Sequence, residues 1–154
     1  MTDAAFNDVR DLYQDVILRH GRRPEHMRRL EQFDATAKGD NPMCGDRVEV
    51  FVRFGPDGTI ADTGFEARGC AISIASADLM AETVQGRSKS DTAALFSTFS
   101  DMVRTGICPA CDTAMKRLAP LSGVHEYPSR VKCATLPWHA LIAALDDKKE
   151  TSSE

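Results

Sequence analysis

The chain has 154 residues, 42% of them hydrophobic and 27% charged, which is the composition of an ordinary soluble globular protein. At this length about 68–70% of the unfolded surface is buried on folding, so a core can form without disulfide staples. Global disorder, a collagen-like repeat and a small disulfide-dense scaffold are excluded. The net charge is −4, from 19 Lys and Arg against 23 Asp and Glu; a dedicated nucleic-acid binder carries a strong positive excess, so no nucleic-acid partner is expected.

No run approaches the ~18 apolar residues of a membrane span. Asp3, Asp8 and Asp11 occupy the opening stretch, where a secretory signal would place a basic and then an apolar region. The expectation is a cytoplasmic protein with no membrane partner. Thiols are kept reduced there, so cysteines read better as ligands or nucleophiles than as bridges. There are five, Cys44, Cys70, Cys108, Cys111 and Cys133, and an odd count argues against a complete disulfide framework.

Phe6, Val9, Leu12, Tyr13, Val16 and Ile17 recur at three- and four-residue spacing, which predicts a helix ended by Gly21. The basic stretch that follows (Arg19, Arg22, Arg23, Arg28 and Arg29, with His20 and His26) reads as a solvated helix face and turn, or as a docking patch for an acidic partner. Residues 46–54 alternate, with Val48, Val50, Val52 and Phe54 on one face and Arg47, Glu49, Phe51 and Arg53 on the other. Gly55-Pro56-Asp57-Gly58 is turn chemistry, and residues 59–67 alternate again. This predicts a β-hairpin whose antiparallel pairing brings Cys44 and Cys70 to one end of the sheet.

After Cys70 the period becomes helical through Ile72, Ala75, Leu79, Met80 and Thr83, stopping at Gly86. A next helix is capped by Ser90 or Asp91, turns Leu95, Phe96, Phe99, Met102 and Val103 inward and ends at Gly106. The Cys108-Pro-Ala-Cys111 segment and a short helical stretch follow. Residues 130–145 predict a last helix, in which Pro137 is awkward unless it lies in the first turn. The expected organisation is one α+β domain over residues 1–146, a short antiparallel sheet covered on one face by helices, with a charged flexible tail at 147–154.

Three segments carry chemistry: Asn41-Pro42-Met43-Cys44-Gly45-Asp46, Gly69-Cys70-Ala71-Ile72-Ser73, and the run from Arg130 through Cys133 to Trp138. A turn at Gly45 can aim Cys44 and Asp46 at one point. Cys70 falls at a helix start, where unpaired amide N–H groups favour a thiolate. Three thiolates and one carboxylate suit tetrahedral zinc, and thiolates equally suit an iron–sulfur cluster. The Asp46 oxygen is a harder ligand than the sulfurs and a plausible one to exchange. Singly, each residue has a plainer role: Cys70 as a small buried hydrophobe, Cys133 as a core residue, Asp46 as a strand-start cap. Together, Cys44, Asp46, Cys70 and Cys133 read as a metal site, with Arg130 placed to offset its negative charge.

These segments, in this order, resemble the iron–sulfur assembly family of IscU, the NifU N-terminal domain and SufU. The likeness also takes in Leu12-Tyr13 through His20, Arg23-Pro24, and Ala75-Ser76-Ala77. It is nearest the SufU branch, because Cys70 and Cys133 are far apart and the last segment reads Arg130-x-Lys132-Cys133-Ala134-x-Leu136-x-Trp138. The cluster-scaffold branch instead has a His directly before its last cysteine. The resemblance implies a zinc protein that accepts persulfide sulfur from a SufS-type cysteine desulfurase, a sulfur-carrier activity that serves the downstream iron–sulfur assembly machinery. It implies Cys44, Asp46, Cys70 and Cys133 as zinc ligands, Cys133 as sulfur acceptor with Cys44 as second candidate, and Arg130 as a residue of productive engagement. In the family a His of the desulfurase replaces one cysteine on the zinc and frees it. The alternative is a scaffold for [2Fe–2S] assembly and transfer. His20, His26, His125 and His139 read as packing or surface residues, and Cys108 and Cys111 as helix-flanking cysteines or a redox-sensitive pair.

Overall fold

The computed structural model describes residues 13–42, 45–108 and 112–152. Phe6, Val9, Leu12, Cys44 and Cys111 lie outside them. The expected α+β architecture is present: a four-stranded sheet in the order β3-β2-β1-β4, with helices on its inner face. The strands are β1 (Ala35–Asn41), β2 (Asp46–Phe54), β3 (Ile60–Arg68) and β4 (Glu150–Ser152).

The hairpin of β2 and β3 forms as its alternation requires. Val48, Val50 and Val52 stand opposite Ala67, Phe65 and Thr63, and all but the half-buried Ala67 are buried on the helix side. Gly58, at φ +83°, supplies the left-handed residue the turn needs, while the Asp57 carboxylate accepts bonds from the Thr59 amide and hydroxyl. On the other face Phe51 is also buried. The segment leading to β1 crosses over it, setting Phe33 against its ring at 5.1 Å and the Arg29 guanidinium over it at 5.0 Å.

Two strands were not expected. β1 reads Ala-Thr-Ala-Lys-Gly-Asp-Asn and pairs antiparallel with β2 from Ala35↔Val52 to Asn41↔Asp46. Its inward side chains are small because a helix lies close above: a Cβ at Gly39 would sit 3.1 Å from Leu136 and 3.3 Å from Ala140. β4, inside the charged tail, pairs parallel to β1, so the sheet is mixed. Backbone pairing asks for no apolar side chain, and the register sets Glu150 opposite Lys38, an opposite-charge pair that favours it.

The helices are α1 (residues 13–22), α2 (Ala71–Thr83), α3 (Lys89–Thr105), α4 (Thr113–Leu118) and α5 (Pro128–Leu145), with a 3-10 turn at Ala119–Glu126 before α5. α2 is buried nearly all round between the sheet and α5. α3 ends at Gly106 in the left-handed conformation, but its cap is Ser88, which accepts the Asp91 amide, rather than Ser90 or Asp91. α5 starts two residues earlier than the sequence suggested and carries Pro137 in its interior. The proline removes the N–H that would bond the Cys133 carbonyl, at a cost of about 3 kcal/mol. Burial of residues 133–138, with Trp138 stacked on Phe99 at 4.7 Å, offsets that cost. No helix among the described residues is long and apolar enough to cross a membrane.

Candidate metal centre

Antiparallel pairing places Asp46 at the start of β2 beside the end of β3, since Arg47 lies opposite Arg68. Gly45 (φ +75°) donates its amide to Asn41 across the β1–β2 turn, and Asp46 is buried there, 1% exposed. Gly69 then adopts φ +148°. Its missing side chain is the space the Asp46 carboxylate fills, because a Cβ at Gly69 would overlap Asp46 Oδ1. Cys70 follows as the N-cap of α2. Its amide donates to Asp46 Oδ1 at 2.9 Å, and its Sγ lies 3.6 Å from Oδ2.

Cys133 arrives from α5, which crosses the sheet and packs on α2, where Ser76 Oγ donates to the Ala134 carbonyl. Ligand atoms of Asp46, Cys70 and Cys133 lie within 4.8 Å of one another. Neither of these cysteines is in a disulfide; Cys70 is half-buried and Cys133 fully buried. Cys133 sits in the second turn of α5 rather than its first, with Sγ 3.8 Å from the Ser129 carbonyl. Arg130, one turn earlier, shares that face of the helix. Its guanidinium interacts with the Cys133 thiol foremost and with Cys70, which raises its pKa further above the ordinary arginine value. Lys132 is exposed.

The plain roles considered for single residues are partly real. Asp46 does hold a backbone amide, yet its second oxygen faces a thiol. Cys70 is not a buried hydrophobe. A thiol, a second thiol and a carboxylate converging beside a glycine loop form a donor set that fits zinc or another thiophilic ion. Cys44 lies outside the described residues.

Elsewhere, Cys108 is in a disulfide. His20 is buried against Asp78, Nδ1 to Oδ2 2.5 Å. His125 bonds the Ser122 carbonyl, and His139 packs edge-on to Phe96 at 5.0 Å. His26 lies beside Glu25 and Glu82, a grouping with no local signature in the sequence.

Together, the mixed sheet under helices and the Asp-Cys-Cys cluster at the hairpin's open end define an α+β protein with a thiol-rich candidate metal centre. Residues 12–134 match the family model described as NifU-like N terminal domain, and the chain belongs to that family. It is 38% identical over 141 residues to the iron–sulfur cluster assembly scaffold protein IscU of Streptococcus pyogenes serotype M1, covering 92% of this chain and 87% of that one. It is 34% identical over 130 residues to the zinc-dependent sulfurtransferase SufU of Bacillus subtilis, covering 84% and 86%. Among solved structures it is similar to a SUF-system cluster assembly scaffold candidate, FiSufU, of Fervidobacterium islandicum AW-1. That match has 30% identity and a TM-score of 0.77 over 84% of this chain and 93% of that one.

Proposed function

We infer that the protein is a zinc-dependent sulfur acceptor, taking persulfide sulfur from a SufS-type cysteine desulfurase and passing it to the iron–sulfur assembly machinery. The observation that carries this reading is the convergence of Asp46, Cys70 and Cys133 within 4.8 Å beneath an arginine that interacts with both thiols. Asp46, Cys70 and Cys133, with Cys44 as fourth ligand, would hold the ion. Bound zinc would keep these thiols deprotonated and restrained.

Sulfur transfer needs no net redox change. The Cys133 thiolate attacks the outer sulfur of the donor persulfide, a new S–S bond forms on Cys133, the donor's S–S bond breaks, and the donor leaves as a thiolate. Arg130 sits where negative charge is shared among these sulfurs and favours the anionic nucleophile. Cys44 is the second candidate for acceptor. The B. subtilis relative, named a zinc-dependent sulfurtransferase, supports the same reading.

The second reading is a scaffold for [2Fe–2S] assembly, favoured by the name of the S. pyogenes relative. Lys132 directly before Cys133 weighs against it, since the scaffold branch has a His there. Metal analysis of anaerobically purified protein separates the two. About one zinc per chain without iron or sulfide is expected for a single four-ligand site; iron with matching acid-labile sulfide would overturn the zinc reading.

A further inference from the structure

Glu25 and His26, in the segment between α1 and β1, meet Glu82 near the end of α2, and one ligand atom from each lies within 4.8 Å of the others. His26 is held in place from two sides. Its amide donates to the buried Asp78 carboxylate at 2.8 Å, and its carbonyl accepts from the Phe65 amide of β3 at 3.2 Å. Asp78 and Glu82 are four apart on α2, so they share the face that meets this segment. His26 Nε2 lies 3.9 Å from Glu82 Oε1. That is too long for a hydrogen bond, and a side-chain shift of about 0.5 Å would bring the pair to the separation of two tetrahedral ligands about 2.0–2.2 Å from a shared ion. The two side chains are 18% and 30% exposed, and the exposed Glu25 can complete the set by a rotamer change.

We propose that His26, Glu82 and Glu25 form a second divalent-cation site. Its donors are one imidazole and two carboxylates with no thiolate, a set for Zn²⁺, Fe²⁺ or Mn²⁺ rather than a soft ion such as Cu⁺. It is separate from the cysteine centre: Glu82 lies twelve residues beyond Cys70, about 18 Å along the helix. An ion there ties the segment before β1 to α2 and closes a seam held otherwise by the bonds of Asp78.

The test is a difference measurement that does not depend on what the cysteine centre holds. Zinc is titrated calorimetrically into the wild-type chain, Glu82→Gln and His26→Ala, with circular dichroism confirming the fold of each. The wild type is expected to bind one equivalent more than either variant, and Cys70→Ser is expected to keep that extra equivalent. In parallel, zinc should shift the imidazole NMR resonances of His26 in the wild type, and in Glu82→Gln only at zinc concentrations at least tenfold higher. Equal stoichiometry in the wild type and Glu82→Gln, with unmoved His26 resonances, would overturn the proposal and leave a plain ion pair.

Discussion

Oδ1 of Asp46 accepts the Cys70 amide at 2.9 Å while Oδ2 of the same carboxylate faces Cys70 Sγ at 3.6 Å. One side chain thus both fixes the backbone entering α2 and contributes an oxygen to the sulfur cluster. The arrangement depends on the hairpin register, which puts residues 46 and 70 at one end of the sheet, and on a glycine at position 69. Positioning the cluster and folding the loop are therefore one problem in this chain.

Gly69→Ala should damage both. The new Cβ falls onto Asp46 Oδ1, and φ +148° is a conformation nearly closed to alanine, a strain of about 1–3 kcal/mol. We expect a lower melting temperature and metal affinity weakened at least about tenfold, a loss of about 1.4 kcal/mol. Thermal unfolding and a chelator competition check this; unchanged affinity would show that Asp46 does not serve the metal.

Arg130→Ala should separate transfer from folding. The side chain is exposed, and such surface changes usually stay within about 0.5 kcal/mol in stability. Its positive charge lies against the two thiols, so sulfur transfer should fall about tenfold while metal content holds. Arg130→Lys should not restore full activity, because a point charge cannot reproduce a planar fork spanning two sulfurs. Transfer rates with a cysteine desulfurase, beside metal analysis, decide it.

Asp78→Ala should be the more destabilising change, though it is far from the cysteines. The buried carboxylate holds the His20 ring and the His26 amide at once, and leaving a buried polar group without its partner costs about 1–3 kcal/mol for each. Chemical denaturation should show this loss.

The hairpin could be read from the sequence because its valines alternate and its turn is spelled by Gly-Pro-Asp-Gly. That alone predicts Asp46 and Cys70 as neighbours. β1 could not, since what selects Ala37 and Gly39 is the closeness of α5, a long-range fact with no local pattern. The same holds for Cys133: its place in the cluster depends on α5 crossing the sheet, and spacing along the chain does not encode that. α5 begins at Pro128, two residues before the expected start, and keeps Pro137 in its interior because tertiary burial overrides the local rule. The His26, Glu25 and Glu82 grouping joins a loop to a distant helix turn and leaves no periodic trace.

His139 gives the fold a pH dependence. Burial lowers its pKa below the ordinary 6.5, so as pH falls through about 6.5 the unfolded chain takes up a proton that the folded chain resists. Stability from this residue is complete above that pH and declines below it, until the folded pKa is passed. His139→Gln should show a smaller drop in melting temperature between pH 7.5 and pH 5.5 than the wild type, an interval of about 2 units spanning the histidine range.

The most direct measurement of the sulfur-acceptor account is a single turnover: anaerobic protein mixed with a persulfide-loaded SufS-type desulfurase, then peptide mapping by mass spectrometry. The account predicts one added sulfur atom on Cys133, with Cys44 as the second candidate, and none on Cys70 or Cys108. It also predicts that Cys133→Ser or Cys44→Ser, still folded and metal-loaded, abolishes transfer. Absence of persulfide on either cysteine, with iron and sulfide accumulating on the chain instead, would contradict it.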